Sequence, residues 1–160
     1  MKIFNASEIM KFAIKIEEKG ETFYKFAVGI SQNEEVKKLF SFLADEEAKH
    51  KASFEQMQSQ MEGYQPPEKF SGEYEGYMNS YLENIIFPKE NWEDNLRDIK
   101  DEKKAINFGI RIELDSILYY HEIKPFVPKQ QLGAIDEIIE EERKHFLKLL
   151  DIKRQGKDSL

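Results

Sequence analysis

The feature that most constrains the fold is an internal repeat that carries acidic residues and histidine at fixed positions. Residues 12–17 read FAIKIE and residues 108–113 read FGIRIE, at an offset of 96. Residues 46–50 read EEAKH and residues 141–145 read EERKH, at an offset of 95. Each half of the chain therefore contains the same two segments in the same order, which predicts two structurally equivalent units.

Apolar residues recur at steps of three and four around each repeated segment, which is the spacing of one face of an α-helix. The pattern predicts four long helices, at about residues 7–31, 33–62, 101–124 and 129–153. Ser31 and Glu34 have the spacing of a capping box before the second helix. Asp101 is a good N-cap for the third.

The connection between the second and third helices is long, whereas the other two turns are tight. It covers residues 63–100 and contains several Pro and Gly residues, but Tyr74, Tyr77 and Tyr81 recur at helical spacing and predict a short helix within it. Two helical hairpins joined by one long crossover form an antiparallel four-helix bundle of the ferritin-like type. We therefore predict an all-α fold and a single domain over residues 1–160.

The repeated acidic residues are predicted to lie at one height in this bundle. The turn of the first hairpin lies 15 residues after Glu17 and 15 before Glu47, so these two residues face each other. The same counting places Glu113 opposite Glu142 in the second hairpin. The residues expected to converge near the middle of the bundle are Glu17, Glu47, His50, Glu113, Glu142 and His145.

Four carboxylates in a core need a compensating partner, because burying one costs several kcal/mol unless it is paired or coordinated. They could pair with Lys or Arg, or the helices could be rotated so that the carboxylates face water. The alternative is a metal site. One Glu from each of two helices and a Glu-x-x-His from each of the other two is the ligand set of di-iron and di-manganese bundles. Oxygen and imidazole ligands suit Fe or Mn, and Zn would also bind.

On these residues the sequence resembles the rubrerythrin-like branch of the ferritin-like di-iron proteins, over about residues 7–31, 33–62 and 101–153. The resemblance implies two Fe ions held by the six residues above, with Glu47 and Glu142 bridging the ions or binding one each. It also implies an oxidoreductase that reduces hydrogen peroxide or dioxygen in defence against oxidative stress. The electron source in such systems is usually a rubredoxin-type iron centre, and the family resemblance further suggests a homodimer.

The sequence departs from full rubrerythrins in two respects. It contains no Cys, so it lacks the ligands of a fused rubredoxin domain, and a separate donor would have to supply electrons. Ser116 stands where rubrerythrins place a second carboxylate on the third helix, which leaves six ligands rather than seven. A ferritin-like iron-binding or ferroxidase protein without peroxidase turnover is therefore the alternative, followed by a metal-free helical interaction module.

Two tyrosines follow the repeated acidic residues at the same spacing. Tyr24 and Tyr120 lie seven residues after Glu17 and Glu113, two turns along the same helical face. They could donate hydrogen bonds to the candidate ligands or act in radical quenching, or they could be mainly core residues with a satisfied hydroxyl. His121 has no Glu three residues before it and is expected at the surface.

Charge and hydropathy restrict the partners. The chain has 31 acidic against 24 basic residues and a formal charge of -7, which argues against nucleic acid as a partner. No apolar run is long enough for a transmembrane helix, and the N-terminus lacks the apolar segment of a signal peptide. These observations predict a cytoplasmic protein with no membrane partner.

Overall fold

Four long helices form the body of the protein, and two short helices lie in the crossover. The computed structural model describes residues 6–66, 72–88 and 92–158. Within these ranges the chain forms α1 Ala6–Ile30, α2 Glu34–Gln60, α3 Gly72–Tyr81, α4 Trp92–Arg97, α5 Glu102–Ile123 and α6 Leu132–Asp158. The all-α helical bundle predicted from the repeat is confirmed, with α1, α2, α5 and α6 as its long helices.

Each hairpin is formed by helices that are neighbours in sequence. α1 packs along α2, and α5 packs along α6, while the two hairpins meet mainly through α1 and α5. The first turn is only three residues long, and the second contains two short 3-10 helices, Lys124–Phe126 and Lys129–Gln131. Pro125 and Pro128 lie in this second turn, where their fixed backbone and missing N–H groups end a regular helix.

Asn33 caps the start of α2. Its side-chain oxygen accepts hydrogen bonds from the backbone N–H groups two and three residues later, at 2.9 and 3.3 Å. The Ser31 hydroxyl donates instead to the carbonyl oxygen of Ala27 at 2.7 Å. The capping box predicted from Ser31 and Glu34 is therefore wrong, because the hydroxyl is already used by the last turn of α1. Asp101 caps α5 as predicted.

The crossover lies against the outer face of the bundle. The short helix predicted there is present as α3, which continues into a π-helical segment at Leu82–Ile86. The Tyr81 hydroxyl donates to the carbonyl oxygen of Asp115 at 3.0 Å and thereby ties the crossover to α5. α4 is a second short helix that the sequence pattern did not predict. Residues 67–71 and 89–91 of the predicted crossover lie outside the described ranges.

Two apolar clusters fill the bundle, one on each side of a layer of polar residues. The first includes Met10, Phe54, Tyr119 and Ile135. The second includes Phe23, Phe40, Leu43 and Leu149. Along each long helix the buried acidic residues lie between these clusters, so the polar layer is enclosed by the core. None of the described helices combines the length and the apolar character needed to span a bilayer.

Candidate metal centre

The structure brings all six predicted residues into one layer in the middle of the bundle. α1 contributes Glu17, α2 contributes Glu47 and His50, α5 contributes Glu113, and α6 contributes Glu142 and His145. All six are buried, and the four carboxylates are fully inaccessible to solvent. We call these six residues the polar layer.

The polar layer contains two overlapping sets of potential ligands. In the first set, oxygen or nitrogen atoms of Glu17, Glu47, His50 and Glu142 all lie within 4.8 Å of one another. In the second set, the same holds for Glu47, Glu113, Glu142 and His145. Glu47 and Glu142 belong to both sets, and every other member belongs to one. This arrangement can hold two cations side by side, with two carboxylates shared between them.

The Nδ1 atoms of both histidines point into the layer. Nδ1 of His50 lies 2.8 Å from Oε1 of Glu142 and 3.5 Å from Oε2 of Glu17. Nδ1 of His145 lies 3.6 Å from one oxygen each of Glu113 and Glu142. The two imidazole rings stack with their centroids 5.5 Å apart. Each histidine therefore presents one nitrogen to the carboxylates of its own set.

The two structural alternatives to a metal do not fit this layer. Its carboxylates do not face water, since each is fully buried. No ion pair recorded among the described residues joins any of them to Lys or Arg, and the basic side chains next to them are the two histidines. Apart from the two imidazoles, no basic side chain in the described part of the chain balances the charge of the polar layer, which leaves room for another cation.

The atoms without hydrogen bonds show how such a cation would be held. Both oxygens of Glu47 and both oxygens of Glu142 have no hydrogen-bond partner outside the polar layer. The same holds for one oxygen each of Glu17 and Glu113 and for Nδ1 of each histidine, whose contacts are with carboxylates of the layer itself. Buried polar atoms are almost always hydrogen-bonded, so a cluster of unpaired acceptors needs an explanation. Carboxylates with two free oxygens suit bridging positions, and those with one suit terminal positions.

The other oxygens of the terminal carboxylates are occupied by the two predicted tyrosines. The Tyr24 hydroxyl donates to Oε1 of Glu113, and the Tyr120 hydroxyl donates to Oε1 of Glu17. Both tyrosines are completely buried. The hydrogen-bonding role is therefore the one observed, but each tyrosine bonds the glutamate of the other hairpin rather than the one on its own helix. These bonds fix which oxygen of each glutamate faces the layer.

Glu46 and Glu141 are outer partners that the sequence reasoning did not identify. Nε2 of His50 lies 2.6 Å from Oε2 of Glu141, and Nε2 of His145 lies 3.9 Å from Oε2 of Glu46. The hydrogen bond between Glu141 and the outer nitrogen orients the ring of His50 and turns its Nδ1 inward, whereas Glu46 makes only an electrostatic contact with His145. The acidic doublet repeated in both halves, Glu46-Glu47 and Glu141-Glu142, was the available signal.

Gly20 makes room for one of the shared carboxylates. A Cβ atom at this position would lie 2.4 Å from Oε2 of Glu47, which is closer than real Cβ contacts come. Only glycine therefore leaves Glu47 where it is. Its counterpart in the second half is Ser116, which is buried and donates its hydroxyl to the carbonyl oxygen of Ile112 at 2.9 Å. Ser116 belongs to neither ligand set.

Burial and mutual repulsion set the protonation of the polar layer. Burial raises the pKa of Glu17, Glu47 and Glu113, and the negative charge of Glu142 raises each of them further. Burial acts in the same direction on Glu142, but its contacts with Glu113 and the two imidazoles hold its pKa below the usual value. A bound divalent cation favours the ionised form of every carboxylate.

The pKa values of the two histidines are also raised, but burial and charge act on them in opposite directions. Burial lowers the pKa of both rings, but contacts with Glu142 and Glu17 raise that of His50 to about 12. Contacts with Glu113 and Glu142 raise the pKa of His145 to about 9. Both imidazoles therefore hold a proton at neutral pH when no metal competes for Nδ1. Metal binding has to displace these protons, so it releases protons to solvent.

The donor set fits two divalent transition-metal ions. It consists of four carboxylates and two imidazoles, with at least three protein ligands for each ion, and oxygen with imidazole suits Fe or Mn. His121, in contrast, is exposed in the last turn of α5 and lies 3.4 Å from the guanidinium of Arg143. It takes no part in the polar layer, as the sequence predicted.

Comparison with known proteins gives one match. The family described as Rubrerythrin matches residues 8–150, a range that contains the whole polar layer. No curated protein and no solved structure matches the chain significantly. The family match and the unpaired donor atoms point independently to a metal site in the same place.

Proposed function

The chain belongs to the rubrerythrin family, and from this premise we propose that it is a non-haem di-iron oxidoreductase. It reduces hydrogen peroxide or dioxygen, as a defence against oxidative stress, with electrons from a separate donor. The observation that carries the proposal is the set of unpaired atoms in the polar layer, because their number and placement match two terminal and two bridging carboxylates.

The residue roles in this proposal follow from their hydrogen bonds. Glu17 and His50 would hold one ion, Glu113 and His145 would hold the other, and Glu47 and Glu142 would contribute to both. Tyr24 and Tyr120 keep the terminal carboxylates in place through the oxygen that faces away from the ions. Glu47 and Glu142 have no hydrogen-bond partner outside the polar layer, so both oxygens of each remain available to the centre.

Two ferrous ions, when bound, would supply the two electrons that reduce one molecule of hydrogen peroxide to two of water, with two protons taken from solvent. The protein contributes position and electrostatics. The buried carboxylates favour the higher charge of oxidised ions, and the enclosing apolar clusters exclude bulk water. The 160 residues contain no Cys, so the returning electrons come from an iron centre outside these residues, and a rubredoxin-type protein fits that role. We also propose a homodimer, on the family resemblance alone.

A ferritin-like ferroxidase without peroxidase turnover is the second candidate. Ser116 favours it, because the serine hydroxyl is used by the carbonyl oxygen of Ile112 and no seventh ligand is present in the described cluster. Both candidates require two bound metals per chain. They differ in which oxidant reacts faster with the ferrous form.

The test is anaerobic reconstitution with ferrous iron, followed by metal analysis and stopped-flow mixing with each oxidant. We expect close to two Fe per chain and faster oxidation by hydrogen peroxide than by dioxygen. Glu47→Gln should lose bound iron, whereas Glu55→Gln, an exposed glutamate on the same helix, should keep it. Absence of iron from the reconstituted wild-type protein would refute the proposal. Faster reaction with dioxygen would support the ferroxidase instead.

A further inference from the structure

Two cavities adjoin on the face of the bundle that the crossover covers. The outer one, of about 400 Å³, lies between α1 and the crossover and includes Phe87 and Trp92 in its lining. The inner one, of about 30 Å³, lies between α1, α5 and the π-helical segment. Lys19 lines both cavities. We refer to these two cavities, which share Lys19 in their lining, as the path.

The inner cavity is lined by direct neighbours of the terminal carboxylates. Ile16 immediately precedes Glu17, and Ile112 immediately precedes Glu113. Ser116, which follows Glu113 by one helical turn, supplies a small side chain to the same lining. The innermost part of the path is thus built on the two helices that carry the terminal carboxylates.

Lys19 holds the crossover over this path. Its ammonium group donates a hydrogen bond to the carbonyl oxygen of Ile86 at 2.6 Å. The same group lies 4.3 Å from the ring centroid of Trp92, a cation–π contact. Because these contacts join α1 to both sides of the crossover, they keep the roof of the inner cavity in a fixed position.

On the opposite face of the bundle, the imidazole of His50 stands between a cavity and the polar layer. A cavity of about 270 Å³ lies there between α2 and α6, lined by Glu46, Ala134 and Glu141 among others. It meets the outer side of His50, whose ring stacks against that of His145. Since the Nε2 atom of His50 is bound to Glu141, the rings separate this cavity from the unpaired atoms of the polar layer.

The volume of the inner cavity limits what can pass. A cavity needs roughly 10 to 15 Å³ to hold one water molecule, so about 30 Å³ holds two or three atoms of that size. Hydrogen peroxide and dioxygen meet that limit. An aryl-substituted hydroperoxide is several times larger and would require the isoleucine side chains of the lining to move.

We propose that oxidants reach the polar layer through the path beneath the π-helical segment, and that Ser116 and Ile85 set a size limit that selects hydrogen peroxide over bulky organic hydroperoxides. This inference rests on the proposed function, because it requires a metal pair as the destination. It adds the route of entry and the residues that set its size limit.

Three variants test the path. Ser116→Leu fills the inner cavity, and Ile85→Ala opens its roof at a side chain that is 49% exposed. Ala134→Leu fills the cavity on the opposite face by a similar amount and is the matched control. The first readout is metal content after reconstitution. The second is the rate at which nitric oxide, a neutral diatomic probe, binds to the ferrous protein. The third is the single-turnover rate with hydrogen peroxide and with cumene hydroperoxide.

We expect Ser116→Leu to slow nitric oxide binding by about tenfold or more, because the side chains that line the filled inner cavity must move before the probe enters. Ala134→Leu should change the rate by less than about twofold. Ile85→Ala should raise the rate with cumene hydroperoxide, relative to hydrogen peroxide, by about tenfold.

The outcomes separate this inference from the proposed function. A wild-type protein that binds no iron would refute both. If Ser116→Leu binds two metals and reacts with nitric oxide at the wild-type rate, or if Ala134→Leu is the slow variant, the path is wrong and the function stands. If Ser116→Leu loses its metals, Ile85→Ala becomes the deciding variant. An unchanged ratio of the single-turnover rates with cumene hydroperoxide and hydrogen peroxide in Ile85→Ala would then refute the path.

Discussion

Replacing Gly20 with Ala tests whether the shared carboxylate of Glu47 is held in place by the absence of a side chain. The added Cβ would lie 2.4 Å from Oε2 and 3.0 Å from Cδ of Glu47. The oxygen has to retreat by about 0.6 Å to reach 3.0 Å, and by about 1 Å to reach ordinary contact at 3.4 Å. Because Glu47 is a side chain with rotatable bonds, the fold can absorb this shift.

A metal site tolerates such a displacement of a ligand oxygen less easily than the fold does. Metal–ligand distances vary by only about 0.2 Å, so a displacement three to five times larger removes Glu47 from one of its ions. We expect the affinity for divalent cations to fall by about 10-fold to 100-fold, which is roughly 1.4 to 2.7 kcal/mol. The stability of the metal-free protein should not fall in proportion, since Ala is favoured over Gly inside a helix by up to about 1 kcal/mol.

The assay is an anaerobic titration with Co²⁺, followed through its visible absorption and by competition with a chelator, alongside urea unfolding of the metal-free protein. Gly29→Ala is the control on the same helix, because a Cβ there meets nothing within 4 Å. It should leave the Co²⁺ affinity unchanged. Wild-type affinity in Gly20→Ala would refute the idea that Glu47 is a positioned ligand, and an equal loss in Gly29→Ala would show that the effect is not local.

Three further predictions concern the tyrosines, the protonation of the polar layer and the cap of α2. Tyr120→Phe leaves Oε1 of Glu17 without its donor, which should cost about 1 to 3 kcal/mol of unfolding free energy and weaken Co²⁺ binding. Tyr119→Phe is the control, because it removes a hydrogen bond to the backbone of Ile9. It should lower stability without changing the affinity for Co²⁺. The pKa values of Glu47 and His145 are raised by folding, so their contributions are present below the unfolded pKa and lost as pH rises through the folded one. Urea unfolding in chelator should therefore show the metal-free protein becoming less stable from about pH 5 to about pH 9, and a rise over that range would contradict the assigned electrostatics. Asn33→Ala should cost about 1 kcal/mol by loss of the cap, measured by urea unfolding; a cost below about 0.3 kcal/mol would be inconsistent with it.

Much of the candidate site could be predicted from sequence because helical periodicity is local. The face of a helix on which a residue lies follows from its neighbours within a few turns. Glu17 and Glu47 could therefore be assigned to the core face of their helices and to the same height along the bundle. The cap of α2 could not be assigned in the same way. Ser31 and Asn33 both suit such a position, and the choice between them depends on backbone angles that the sequence does not contain.

The sequence by itself determined the repeat, the four long helices and the six residues of the polar layer. Only the tertiary structure decided how those residues are paired. Tyr24 bonds Glu113, Tyr120 bonds Glu17, and His50 contacts Glu141, across 89, 103 and 91 residues of chain respectively.

These pairings depend on the rotation and the depth at which one hairpin docks against the other. Helical phase selects the face of a helix, but it does not select the partner on a distant helix. The distinction between terminal and bridging carboxylates follows from the same docking, because an oxygen bonded to a tyrosine of the opposite hairpin is no longer free to face a metal ion.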